Sequence, residues 1–180
     1  MAKIVVGYAD YLKSLFERMA NGGVLLASLD PHGKANPMTI GWGTVGVVWG
    51  RPIFTVLVRP SRYTYACIEH TNDFTVNLPR EDDRESTALS GKTSGRDRDK
   101  LADLNWGTLP SEAIETPVLE PCVLHYECRV VQKTDVVPDA FFPPIIGQFY
   151  PKGDFHRVYF GEILRVTADE DFVKKHTRAK

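Results

Sequence analysis

Cys122-Val123-Leu124-His125-Tyr126-Glu127-Cys128-Arg129-Val130 is the stretch on which the fold turns. Cys122, Leu124, Tyr126, Cys128 and Val130 alternate with His125, Glu127 and Arg129, a period of two that gathers the apolar groups on one face. A helix would scatter the same residues around its circumference. The pattern predicts a half-buried antiparallel strand with a polar second face.

The segments on either side follow suit. Asp73–Leu78 places Phe74, Val76 and Leu78 opposite Thr75 and Asn77, and Val24–Leu29 reads as a buried strand. Residues 38–49 and 52–58 are β-rich, with Gly50-Arg51-Pro52 as the turn between them, and residues 155–166 set Val158, Phe160, Leu164 and Val166 to one side. Asp30-Pro31-His32-Gly33 is turn chemistry. Helices are few and short. Residues 8–19 carry Tyr11, Leu12, Leu15, Phe16 and Met19 at helical spacing and stop at Asn21-Gly22-Gly23. Ser61 is placed to cap a helix over residues 62–69, and a charged helix is expected over 169–176. Phe141-Phe142-Pro143-Pro144 reads as a rigid loop, and the charged residues 80–105 read as surface loop and short helix covering an opening. About six strands without a βαβ rhythm make a mainly β fold, an antiparallel barrel closed or partly closed on itself. No repeat or linker divides the chain, so a single domain over residues 1–180 is expected.

Bulk composition narrows the function. The 180 residues are 43% hydrophobic and 25% charged, with a formal net charge of −1 and no long basic run, which argues against a nucleic-acid or anionic-membrane surface. No stretch approaches the about 18 apolar residues of a membrane span, and residues 1–17 lack the apolar core of a signal peptide. Cys67, Cys122 and Cys128 form no CxxC pair and are an odd number, as expected of reduced thiols in a cytoplasmic protein.

Two stretches carry chemistry. Ala35-Asn36-Pro37-Met38-Thr39-Ile40-Gly41-Trp42-Gly43-Thr44 lines up small residues and an amide side chain along a strand start, where exposed backbone amides and carbonyls can meet the hydrogen-bonding edge of a flat heterocycle. Gly41 and Gly43 equally suit a bulge, and Trp42 and Trp49 equally suit core or interface packing. Arg59-Pro60-Ser61-Arg62-Tyr63-Thr64 sets two guanidinium groups and hydroxyls around a helix N-terminus, a setting for a phosphate dianion. Arg59 and Arg62 are otherwise solvated or salt-bridged surface groups. No Ser/His/Asp triad, carboxylate pair or Cys/His metal cluster stands out; His125 and His156 have no second ligand at metal spacing, and no catalytic acid or base is assigned. No GxGxxG lies between a strand and a helix, so no nicotinamide fold is encoded.

The run NPMTIGWGTVG (36–46), then RPIFTVLVRPSRYTYACIEHTNDFTVNLP (51–79), SGKTSGRDRDKL (90–101) and HRVYFGEIL (156–164) resembles the flavin reductase-like, FMN-binding split-barrel family, in its flavoredoxin-like branch. The resemblance spans nearly the whole chain. It implies a six-stranded antiparallel split β-barrel with flanking short helices, a homodimer, and noncovalent FMN in a groove near the dimer interface. Asn36, Met38, Thr39, Ile40, Gly41 and Trp42 would line the isoalloxazine and ribityl groups. Arg59, Ser61, Arg62, Tyr63 and Thr64 would surround the phosphate, with Lys100 adding a cation. Phe172 is a further candidate to lean on the flavin. Ser90 departs from the branch, whose members often carry Cys there, so a thiol role at that position is absent.

Flavin carries its own redox chemistry, which accounts for the missing acids and bases. Three functions follow as expectations. The first is an oxidoreductase passing hydride from NAD(P)H, as a transient donor, to FMN and onward. The second is a flavoredoxin-like electron carrier reduced by a redox partner protein. The third is a noncatalytic barrel for another ligand such as a pyridoxal derivative or haem.

Overall fold

The computed structural model describes residues 2–177. Its elements run β1 (Lys3–Val5), α1 (Leu12–Ala20), β2 (Val24–Leu29), β3 (Ala35–Ile40), β4 (Gly43–Val48), β5 (Arg51–Val58), α2 (Tyr63–Thr71) and β6 (Asp73–Leu78). There follow α3 (Glu85–Lys92), α4 (Lys100–Leu104), β7 (Thr108–Leu109), β8 (Val118–Leu119), β9 (Leu124–Asp135), α5 (Pro143–Phe149), β10 (Arg157–Asp169) and α6 (Glu170–Thr177).

The sheet is wholly antiparallel, in the order β3-β2-β6-β9-β10-β5-β4, with β1 paired to the far end of β10. That makes eight strands rather than six. Two differences account for the change: the short β1, and a break in the 38–49 tract that yields both β3 and β4. These two lie at opposite ends of the strand order yet are joined by Gly41-Trp42 alone. Three residues span at most about 11 Å. The sheet must therefore roll until its ends nearly meet, although no ladder joins β3 to β4. This is a split barrel. Met19, at the end of α1, packs at the crossover: a Cβ at Gly43 would lie 3.4 Å from its Cε and 3.0 Å from the Thr55 carbonyl oxygen.

Inside lie Leu15, Leu26, Phe54, Val56, Phe74, Val76, Tyr126 and Tyr159, all essentially inaccessible. Each such aliphatic or aromatic side chain contributes about 1.5–3 kcal/mol of burial. The β4–β5 hairpin turns at Trp49-Gly50, one residue earlier than expected, with φ of +53° and +69°. A two-residue turn with both φ positive matches the twist of its strands.

The polar face of β9 is not solvated as expected, because the 105–123 segment covers it. His125 is fully buried with Nδ1 2.8 Å from Asn77 Oδ1, and Glu127 accepts the amides of Glu112 and Ala113 at 3.0 and 2.8 Å. A small second core of Leu25, Ala27, Leu119 and Cys122 seals that side. The Phe141–Pro144 loop continues into α5, whose first two residues are prolines, which helix starts tolerate. Among the described residues no helix is long and apolar enough to cross a membrane.

Candidate functional site: a groove at the barrel split

At the crossover a groove of about 280 Å³ opens between the end of β3, the end of β5 and the start of β10. Met38, Thr39, Ile40, Gly41, Trp42, Leu57, Arg59, Arg62 and His156 line it. The two stretches singled out in the sequence thus meet in one cavity. A larger groove of about 1250 Å³ lies between α1, residues 78–84 and α6, but it mixes charges of both signs. Several of those are already paired: Glu81 with Lys175 at 2.8 Å, Asp169 with Lys3 and Arg80 at 2.7 and 3.3 Å. Phe172 stands in that larger groove, 5.1 Å from Tyr11, so it is a packing residue away from the crossover.

Proline at position 37 fits β3 as an edge strand, where its missing N–H costs no ladder bond. Asn36 is buried and donates to Thr64 Oγ1 at 2.9 Å, while its Oδ1 has no partner among the described residues. Thr39 donates its hydroxyl to the Thr87 carbonyl at 2.5 Å, tying β3 to α3. Trp42 remains 41% exposed, with Phe149 edge-on at 5.1 Å and His156 at 5.2 Å.

The cationic turn divides its labour. Arg59 is spent on backbone carbonyls, donating to Phe149 and Asp154, each at 2.8 Å. Ser61 does not cap α2 as expected: its hydroxyl goes to Asp154 Oδ2 at 2.6 Å, and Arg62 is the N-cap, without a side-chain cap bond. Tyr63 donates to Asp30 Oδ2 at 3.1 Å, and burial together with that bond holds its phenol above the usual range. Thr64 is buried under Asn36. Lys100 is buried beside β3 with Nζ on the Pro37 carbonyl, and desolvation pulls it down to about 8. Only Arg62 presents a guanidinium to the groove with no hydrogen-bond or ion-pair partner among the described residues.

Sequence reasoning missed four participants. Leu57 and His156 line the groove; Asp154 occupies the Ser61 hydroxyl; Arg96 donates to the Ser61 carbonyl at 2.9 Å and lies 5.4 Å over the Tyr63 ring. Arg96 and His156 do stand within the SGKTSGRDRDKL and HRVYFGEIL motifs, so they had a local signal; Asp154 had none. His156 is bonded at Nδ1 to the Tyr150 hydroxyl at 2.7 Å, and desolvation with Arg59 nearby pushes it down to about 4. It is a neutral imidazole at physiological pH. Among the described residues no cluster of His, Cys, Asp and Glu could hold a metal ion.

The split antiparallel barrel thus brings an apolar crossover and a cationic turn into one groove. The chain belongs to the flavin reductase like domain family, which matches residues 16–178. It is 27% identical over 172 residues to an uncharacterized protein of Archaeoglobus fulgidus, covering 96% of this chain and 82% of that one. It resembles a flavoredoxin from Methanosarcina acetivorans with a TM-score of 0.64 at 26% identity, over 94% of this chain and 77% of the other. An FMN-binding domain of a flavin reductase-like enzyme from Shewanella baltica superimposes with a TM-score of 0.65 at 19% identity, over 93% and 78% of the two chains.

Proposed function

We propose that the groove binds FMN noncovalently and that the protein is an oxidoreductase taking hydride from NAD(P)H. The observation that carries the flavin reading is the convergence of Gly41-Trp42 and the Arg62 guanidinium, unpaired among the described residues, on one cavity. The residues fit the group. An anion meets Arg62 at the N-terminus of the nine-residue α2, whose first amides carry the positive end of the helix dipole. The unpartnered Asn36 Oδ1 marks unspent polar capacity in the β3 strand beside it. A Cβ at Gly41 would meet only the Met19 carbonyl oxygen, at 3.6 Å, so the chain's own packing does not require glycine there. The bare backbone leaves room for close approach by a flat ligand.

Bound FMN supplies the hydride and single-electron chemistry. The protein's share is orientation and exclusion of water. Met38, Ile40 and Leu57 form an apolar wall, Trp42 shields one flank, and neutral His156 adds a polar edge without charge. The groove is slightly smaller than the roughly 300 Å³ lower bound of ordinary ligand pockets. The exposed Val47, Trp49, Val131 and Leu164 supply apolar surface for a second copy, as the proposed homodimer requires.

The flavoredoxin likeness supports a second reading, a carrier reduced by a partner protein. Stopped-flow mixing of FMN-loaded protein with NADH and with NADPH separates the two. Bleaching of the flavin band by either donor supports the reductase. Bleaching by neither refutes it and leaves the carrier. A colourless protein that FMN does not restore refutes both.

A further inference from the structure

We propose that Arg59 is a positioning residue: its guanidinium straps residues 149–154 onto the 59–61 turn and so sets Phe149 and His156 against Trp42, instead of holding a ligand phosphate. The role rests on the flavin reading for its ligand, but the strap is independent of it.

A guanidinium has five N–H donors in a fixed fork. In Arg59, Nη1 donates to the carbonyls of Asp154 at 2.8 Å and Gly153 at 3.4 Å, and Nη2 to that of Phe149 at 2.8 Å. The guanidinium carbon lies 5.0 Å over the Tyr150 ring. The receiving carbonyls belong to one reversal, in which Gly153 and Asp154 have φ of +73° and +57°. Three carbonyl dipoles turned inward repel one another without a cation between them. Asp154 completes the strap by accepting the Ser61 amide at 3.3 Å and its hydroxyl at 2.6 Å.

The segment's one buried anchor is Tyr150, which stacks on Phe155 at 4.8 Å and lies 5.3 Å from Phe141; the residues on either side of it depend on the strap. None of the residues of α5 is buried, so core packing does not hold it. Beyond the strap, Phe149 meets Trp42 edge-on, and Tyr150 holds His156 through its hydroxyl. A phosphate on Arg59 would also face the Asp154 carboxylate, whose Oδ2 is 4.0 Å from Nη1. Like charges at that distance disfavour it. Arg62 has no such neighbour in the groove.

The test uses Arg59→Ala and Arg59→Lys in the full chain. Lysine keeps a point charge but cannot span the three carbonyls. Both variants should raise amide hydrogen exchange across residues 149–156 by about tenfold or more while the β9 and β10 amides keep wild-type protection. Both should weaken FMN and riboflavin by the same factor, roughly three- to tenfold. Adding Phe149→Ala to Arg59→Ala should cost little more than either change alone, because the two act through one wall. Unchanged exchange in both variants overturns the strap. Additive losses, or an Arg59→Ala that loses FMN alone while Arg59→Lys retains it, overturn the positioning role. If wild-type protein binds neither flavin, the flavin reading fails on its own account and the exchange measurement still decides the strap.

Discussion

Replacing Arg62 by alanine tests the proposed phosphate seat at its most exposed point. Of the cations near the 59–64 turn, Arg59 serves backbone carbonyls, Arg96 serves the Ser61 carbonyl, and Lys100 is buried on the Pro37 carbonyl. Arg62 alone lines the groove with its guanidinium unspent among the described residues. A hydrogen bond to an ionised partner is worth about 1.5–3 kcal/mol. Arg62 is exposed, so solvent screening favours the low end. At about 1.4 kcal/mol per decade, Arg62→Ala should weaken FMN about tenfold. Riboflavin has no phosphate and should keep its affinity within about twofold. Titrating both flavins by fluorescence quenching yields the ratio of the two losses directly, and raising the salt should shrink the FMN loss alone. Equal losses for the two ligands would place the phosphate elsewhere and refute the reasoning.

Other changes probe the frame around the groove. Burial holds His125 at about 3 and His156 at about 4, both below the usual 6.5, so the unfolded chain takes up more protons as pH falls. Their contribution is intact above pH 6.5 and lost as pH drops through 4 and 3. The melting temperature should fall over that window, and more gently in His125→Gln; parallel curves for the two proteins would contradict this. Gly161→Ala puts a Cβ 2.9 Å from Cys128 Cβ and 2.8 Å from Phe74 Cε1 in the core, an overpacking of about 1–3 kcal/mol, which a thermal melt should register as a clear drop. Gly95→Ala drives a methyl into the Asn36 amide and to 2.9 Å from Tyr63 Cδ1, which should displace Asn36 from Thr64 and weaken both flavins; an unchanged dissociation constant would remove Asn36 from the site.

Local pattern carried most of the strands. Period-two alternation placed β6 and β9, and Asn-Gly-Gly ended α1 close to where its last turn stops, because both signals depend only on neighbours in sequence. The flavin reductase-like character was also legible, since its motifs are contiguous runs. Of the residues that the two stretches nominate, Met38 to Trp42, Arg59 and Arg62 line one groove, whereas Asn36, Ser61, Tyr63, Thr64 and Lys100 do not.

What no local signal could show is which partner each polar group finds. His125 and Glu127 alternate as a solvated face would, yet residues 105–123 fold over them; the covering segment is remote in sequence, so the alternation contains no trace of it. Likewise the 38–49 tract reads as one strand, and only barrel closure splits it at Gly41-Trp42 and sends its halves to opposite ends of the sheet. Arg59 and Arg62 look alike on paper. Asp154, more than ninety positions away, comes back beside the first and not the second, and that return of the chain decides which guanidinium is left for a ligand. Residue type and spacing thus determined the barrel's strands and its chemical vocabulary. The tertiary structure alone assigned the roles, because hydrogen-bond donors and charges are claimed by whatever group the fold brings nearest.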